Sequence, residues 1–192
     1  LAQNKEQIKV AAKGGLFIAR SADEPTIPTD LDTELDPLFN EVGYFGDDGA
    51  TFAKGEEVEE IMAWQSQTAV RKIVVKRDFS MGGTLLQWDR TNVALAFGGG
   101  EWTEPKAGVY RFDPPADYDP LTDWVGVLEA RDGDRIDRWV IEQGNVTGDI
   151  ETQAVRNAGM TLPVNLSALT PDGKDRPWYY LSNDDAAYAA AS

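Results

Sequence analysis

The chain has 192 residues, 42% of them hydrophobic, with 18 Lys and Arg against 33 Asp and Glu for a net charge of −15. That length suits one domain, or one domain with long excursions, around a sizeable core. The charge argues against binding nucleic acid or an anionic membrane by neutralising it, and the lack of cysteine and histidine removes disulfides, thiolate nucleophiles, Cys-based metal sites and imidazole bases.

No apolar run reaches the length of a membrane-spanning helix, and residues 1–20 lack the apolar stretch of a signal peptide, so synthesis in the cytosol is the default expectation. Residues 1–12 read as an N-terminal arm or a frayed helix. Gly14–Ala19 reads as a short buried strand. Residues 21–36, rich in Pro, Asp and Thr, form a long loop without periodicity, of the kind that has a function or is mobile. Asp36 is placed to cap one helical turn starting at Pro37, with Leu38 and Phe39 facing inward.

Val42–Phe45 is a candidate strand, ended by GDDG. Residues 46–66 form a second excursion. Within it, Val58, Ile61 and Met62 fit a helix face, while Val58, Met62 and Trp64 fit an alternating strand; an extended loop with a short strand is the expectation. From Thr68 the chain is β. Residues 68–81 alternate, Gly82-Gly83 suggests a bulge or bend, and Thr84–Trp88 continues. Asn92–Phe97 is a short apolar helix stopped by Gly98-Gly99-Gly100, where Gly98 serves the helix end. Gly99 and Gly100 exceed what a cap needs and suggest close packing against a neighbour. Gly108–Phe112 is an aromatic strand.

Asp123–Ala130 and Arg135–Ile141 flank Asp132-Gly133, a strong hairpin signal. Asn145–Ala154 and Met160–Leu169 are expected to pair, with Pro163 marking an edge or special position. Trp178–Leu181 reads as the last strand, and residues 183–192 as a C-terminal tail. The fold class is mainly β: an antiparallel β-sandwich or barrel with one flanking α-helix and long extended loops, the domain spanning 13–182 with loops at 21–36 and 46–66.

Little in the chain carries chemistry. Asp30, Asp32, Glu34, Asp36 and Glu41 imitate calcium-loop spacing, but Leu35 stands where glycine is required and Pro37 follows, so a solvated acidic loop is the better reading. Trp88, Trp102, Tyr110, Trp124 and Trp139 suit a β core better than a sugar platform. The triple glycine lacks the Lys-Ser/Thr of a phosphate loop. No catalytic residue, cofactor or metal site is assigned, and the chain reads as a non-enzyme. Arg71, Lys72, Lys76 and Arg77 form the one basic cluster, suited to a phosphate backbone or, better, to the acidic loop of an identical neighbour in head-to-tail contact. With Gly99, Gly100 and Trp64 they are the candidate self-assembly residues.

Several pieces, in order over residues 13–182, resemble the major tail (tail tube) proteins of long-tailed bacteriophages, most like those of actinobacteria: KGGLFIA at 13–19, LFNEVGYFGDDGAT at 38–51, EEIMAWQ at 59–65, LLQWDRTNVALAFGGGEWTE at 85–104, GVYRFDPP at 108–115, then DGDRIDRWVI, NVTGDIETQ and PVNLSALTPDG. The resemblance implies a β-sandwich subunit of a virion, built into stacked hexameric rings whose strands join in one barrel around the channel for the genome. It implies the 21–36 and 46–66 segments as inter-subunit arms ordered on assembly, and neighbours that close the open strand edges. Implied partners are further copies of the chain, the tape measure, tail terminator and distal tail proteins, and DNA that passes without specific binding or membrane contact. A negative lumen would repel phosphates. Rival readings are another sandwich-type virion component, such as a terminator or head-decoration protein, the inner tube of a contractile machine, or a secreted carbohydrate-binding sandwich.

Overall fold

The Asp132-Gly133 turn closes the hairpin at the centre of the sheet. Strands β7 (Trp124–Asp132) and β8 (Arg135–Val146) pair antiparallel from Asp132↔Arg135 onward, with Gly133 at φ 63°, which a β-carbon would disfavour. The computed structural model describes residues 4–116 and 120–188. Around this hairpin the remaining strands are β1 (Lys13–Arg20), β2 (Asn40–Glu41), β3 (Phe45–Met62), β4 (Ala69–Leu85), β9 (Leu162–Ala168) and β10 (Trp178–Ser182). Their order is β2-β1-β7-β8-β9-β4-β3, all antiparallel, with β10 also paired to β8. Strands β5 (Glu101–Lys106) and β6 (Val109–Asp113) form a separate ribbon.

The sheet curls over on itself. Leu16 and Ile18 of β1 and Met81 and Leu85 of β4 lie far apart in the strand order, yet they share one core with Trp124, Leu128, Ile141, Leu162 and Leu166. Helix α1 (Arg90–Ala96) closes that core with Val93, Leu95 and Ala96. Asp89 caps it, accepting from the Asn92 amide at 2.9 Å. Buried Asn92 in turn donates to the carbonyls of Val42 and Gln87 at 2.9 and 3.1 Å, which ties the helix to the chain entering β3. The mainly antiparallel β fold with a flanking helix is as expected; a single further helical turn, α2 (Asp185–Tyr188), occupies part of the segment read as a tail. The rest of that tail, 189–192, and residues 1–3 of the arm lie outside the described residues.

A second cluster lies on the other face of the sheet, where Ala19, Val125, Val127 and Val140 are covered by Phe39, Ile27 and Leu35. The 21–36 segment is therefore laid on its own sheet rather than projecting as an arm. Pro25 and Pro28 are buried, the Tyr179 hydroxyl donates to the Pro28 carbonyl, and Arg138 Nη1 donates to the Asp30 carbonyl at 2.7 Å. Burial pushes the Tyr179 phenol up to about 12. Asp36 organises a turn and not a helix: its carboxylate accepts from the Leu38 and Thr26 amides, each at 2.9 Å, so Phe39 turns inward while Leu38 stays exposed.

Three further expectations change. Gly82 and Gly83 pair regularly with Thr51 and Ala50, and an irregularity lies just beyond them, between Phe45 and Ala50 of β3, opposite Thr84. Gly82 is instead a close approach, since a β-carbon there would sit 2.0 Å from the Val164 carbonyl oxygen. Residues 145–154 do not form a strand with 160–169; pairing is confined to Gly144–Val146 with Leu166–Ala168, and residues 147–161 run outside the strands. Pro163 sits where β9 pairs with β4 alone, so the strand is internal in order but an edge locally, as a residue without an N–H requires.

Candidate assembly surface

The largest departure from expectation is residues 46–66, which are almost entirely strand. β3 and β4 pair from Ala50↔Gly83 out to Met62↔Ala69, with register shifts at Glu57/Val58 and Ile61/Met62. Strand β9 supports only Ser80–Leu85 of β4, so beyond Ala53 and Ser80 the two strands continue alone as a ribbon about 30 Å long. Aromatic side chains hold its base. Phe52 packs on Trp178 and Trp139 with ring centroids 4.8 and 6.1 Å apart, and Phe79 packs on Trp178 at 5.4 Å.

Register explains the charges along the ribbon. β3 carries Glu56, Glu57, Glu59 and Glu60, and antiparallel pairing sets Glu56 opposite Arg77, Glu57 opposite Lys76 and Glu60 opposite Lys72. Ion pairs follow: Glu56 with Arg77 at 3.1 Å and with Lys54 at 2.7 Å, and Glu60 with Lys72 at 2.6 Å, while Lys76 turns to Asp78 at 2.9 Å. The hydrogen bond from Lys54, then the charges of Lys54 and Arg77, hold the Glu56 carboxyl below its usual range. Glu60 likewise raises Lys72, and Asp78 raises Lys76. Such exposed pairs add little stability, but opposite charges face to face favour this register over a slipped one.

In the single subunit most of the basic cluster already has acids of its own. Lys72, Lys76 and Arg77 are engaged within their own hairpin, and Arg71, opposite Ile61, makes no ion pair among the described residues. Two acids of the 21–36 loop are likewise engaged locally, Asp30 accepting from Thr33 N at 2.7 Å and Asp36 from the Leu38 and Thr26 amides.

Between the charges, the ribbon displays apolar side chains. Val58, Ile61, Met62, Val70, Ile73, Val74 and Val75 are each 39–57% exposed, with no layer over them among the described residues. The outer edge of β3 carries no further strand in the sheet order. A two-stranded ribbon alone in water is marginal, and apolar side chains uncovered on both faces of a protrusion suit a contact with another chain. The tip is a turn in which the Ser66 amide donates to the Ala63 carbonyl at 3.0 Å, and it presents Trp64 at 97% exposure.

Gly99 and Gly100 lie far along the chain in the turn after α1, and their close packing is within the subunit. The Gly98 amide donates to Leu95 O at 3.2 Å and the Gly99 amide to Ala94 O at 2.7 Å, the paired bonds of a glycine-ended helix, with Gly98 at φ 75°. A β-carbon on Gly99 would meet Thr122 Oγ1 at 2.2 Å, and one on Gly100 would meet the Asp113 carbonyl oxygen at 2.6 Å. The aromatic residues weighed as a platform are dispersed: Trp124 is in the core, Trp139 at the ribbon base, Trp102 against Phe112 at 5.2 Å, and Tyr110 under Arg90.

Of the apolar ribbon residues, the sequence marks only Trp64 as an assembly candidate; Val58, Ile61 and Met62 stand out there only as positions of an ambiguous element. The alternation of Val58 and Met62 with Glu57 and Glu59 was the available signal, and it also fitted a helix. A family model described as phage tail tube protein matches residues 1–191 of the chain. No curated protein matches it.

Proposed function

The chain belongs to the phage tail tube protein family, and on that footing we propose that copies assemble as stacked hexameric rings forming the tube through which the genome leaves the virion. The observation that carries this reading is the β3–β4 ribbon, a rigidly based protrusion whose apolar side chains are uncovered in the single subunit. Burying them against another copy supplies the driving force, at roughly 25 cal/mol per Å² of apolar surface before the costs of association. The open outer edge of β3 offers backbone donors and acceptors to a neighbouring strand.

The net charge of −15 suits a lumen that DNA passes without adhering. Within the virion the tube would meet the tape measure protein inside it and the terminator and distal tail proteins at its ends, after assembly in the host cytoplasm. A long, non-contractile tail of an actinobacterial phage is the proposed setting.

Negative-stain electron microscopy at rising protein concentration tests this. Hollow stacked rings are expected for the intact chain, and none for a variant in which residues 55–77 are replaced by a short turn. Single subunits of the intact chain under every condition would overturn the reading.

A further inference from the structure

We propose that Trp64 is a knob that fills a cleft at the base of β3 in the next copy of the chain, a contact that rests on the tube reading and names its partner site. The cleft lies between the two ends of the curled sheet, where β1 and the start of β3 approach without pairing. It has a volume of about 560 Å³ and is lined by Gly15, Phe45, Phe52, Leu128 and Trp139, with Asp48 among them. That size falls in the ~300–1,000 Å³ range of pockets that engulf a drug-sized ligand, so it has room for an indole.

Knob and cleft complement each other in chemistry. An indole buries a large apolar area and carries one N–H donor. Asp48 supplies the matching acceptor, for its carboxylate is exposed and makes no hydrogen bond or ion pair among the described residues. Arg71, near the tip and likewise without an acid, carries the opposite charge to the cleft.

Geometry makes the contact intermolecular. Trp64 and the cleft stand at opposite ends of one paired strand, about 40 Å apart from Ala50 to Met62 at ~3.3 Å per residue. The tip turn is internally fixed, Ser66 Oγ donating to the Thr68 carbonyl at 2.8 Å, so the backbone that carries Trp64 has little ordering left to lose on binding. A knob at one end and its cleft at the other give a head-to-tail contact, which repeats indefinitely with a translation near that length. Rings stack by such a repeat.

The cysteine-free sequence supplies a clean test. Gln65→Cys at the tip and Ala11→Cys beside the cleft are made in separate copies and mixed under mild oxidation. A disulfide joining the two variants, dependent on both, is expected in assembled tubes, and Trp64→Ala should raise the concentration needed for assembly by roughly 30-fold, the scale of a buried aromatic anchor. Ala11→Trp, which narrows the cleft from an exposed loop position, should act in the same direction while leaving the circular dichroism of the subunit unchanged. Tubes that form from Trp64→Ala at the wild-type concentration, with no cross-link between the two cysteine variants in assembled tubes, overturn the knob and leave the tube standing. Absence of wild-type tubes overturns both.

Discussion

Glu129 and Arg138 face each other across β7 and β8 as an ion pair almost wholly removed from water, with side-chain exposures of 6% and 3% and a closest approach of 2.7 Å. Arg138 places Nε and Nη2 on the same carboxylate oxygen and gives Nη1 to the Asp30 carbonyl, while Arg131 takes the other oxygen. The pair therefore links the centre of the sheet to the loop laid over it. Its desolvation is costly, so its use lies in fixing where the loop docks more than in net stability.

Removing one partner strands the other charge. Arg138→Ala should cost about 3–5 kcal/mol in urea denaturation, whereas the joint replacement Glu129→Gln with Arg138→Met should cost distinctly less. Both variants lose the tether on Asp30, so limited proteolysis should cut within residues 21–36 faster than in the wild type.

The turn after α1 separates backbone strain from crowding. Gly98 has open space around it, so Gly98→Ala should lose only the ~1–2 kcal/mol of a left-handed residue bearing a β-carbon. Gly99→Ala meets Thr122 Oγ1 as well and should cost more, and Thr122→Ala should recover part of that loss. Denaturation of the unassembled subunit is the measurement. A Gly99→Ala effect seen only in assembled protein would place its packing partner in a neighbouring copy.

Elements whose specification is local were readable in the sequence. Asp132-Gly133 encodes its own turn, and Asp89 with Gly98 brackets α1. The alternation of Leu162, Val164 and Leu166 shows because one face of β9 is buried. The expectation of an extended loop over 46–66 fails for the complementary reason. Outside the base, both faces of β3 meet solvent in the single subunit, so no buried face imposes a period, and its acids match bases more than ten residues away across the hairpin. β5 was missed likewise, being exposed along nearly all its length. The 21–36 segment looked like an arm because its anchors, Arg138 and Tyr179, lie more than a hundred residues on.

The two chain ends meet at one acid. Lys9 reaches Asp137 at 2.6 Å and the Tyr180 hydroxyl at 2.7 Å, lies over the Tyr188 ring, and with Arg135 stands 3.8 Å from Asp184. Burial pushes the Asp137 carboxyl up, yet hydrogen bonds from Lys9 and Tyr180 hold it below its ordinary 3.8. Folded Asp137 thus binds protons less readily than unfolded. Its stabilisation is complete above that ordinary value and disappears as pH falls through the lower folded one. Asp137→Asn should cost about 1.5–3 kcal/mol at neutral pH, the range of a charged hydrogen bond, and progressively less below the ordinary value. Urea midpoints of both proteins at pH 7, 5 and 3 check this. A constant difference would mean that Asp137 acts by shape rather than charge.

Arg71 and Lys72 are neighbours in sequence with different employment, and charge reversal should tell them apart. Lys72 serves its own ribbon through Glu60, an exposed pair whose loss should change subunit stability little. Lys72→Glu sets two acids face to face, loosens the ribbon and should weaken assembly; adding Glu60→Lys restores an opposite pair in the same register and should restore assembly with it. Arg71→Glu has no such rescue within the chain, because Arg71 faces Ile61. Its effect should be larger at ~10 mM salt than at ~1 M, where charges more than about 3 Å apart are screened. Light scattering of assembly for the four proteins decides the matter. If the Glu60→Lys, Lys72→Glu swap fails to assemble while its subunit stays folded, Lys72 acts on a neighbour, and the internal pairing is not what the basic residue is for.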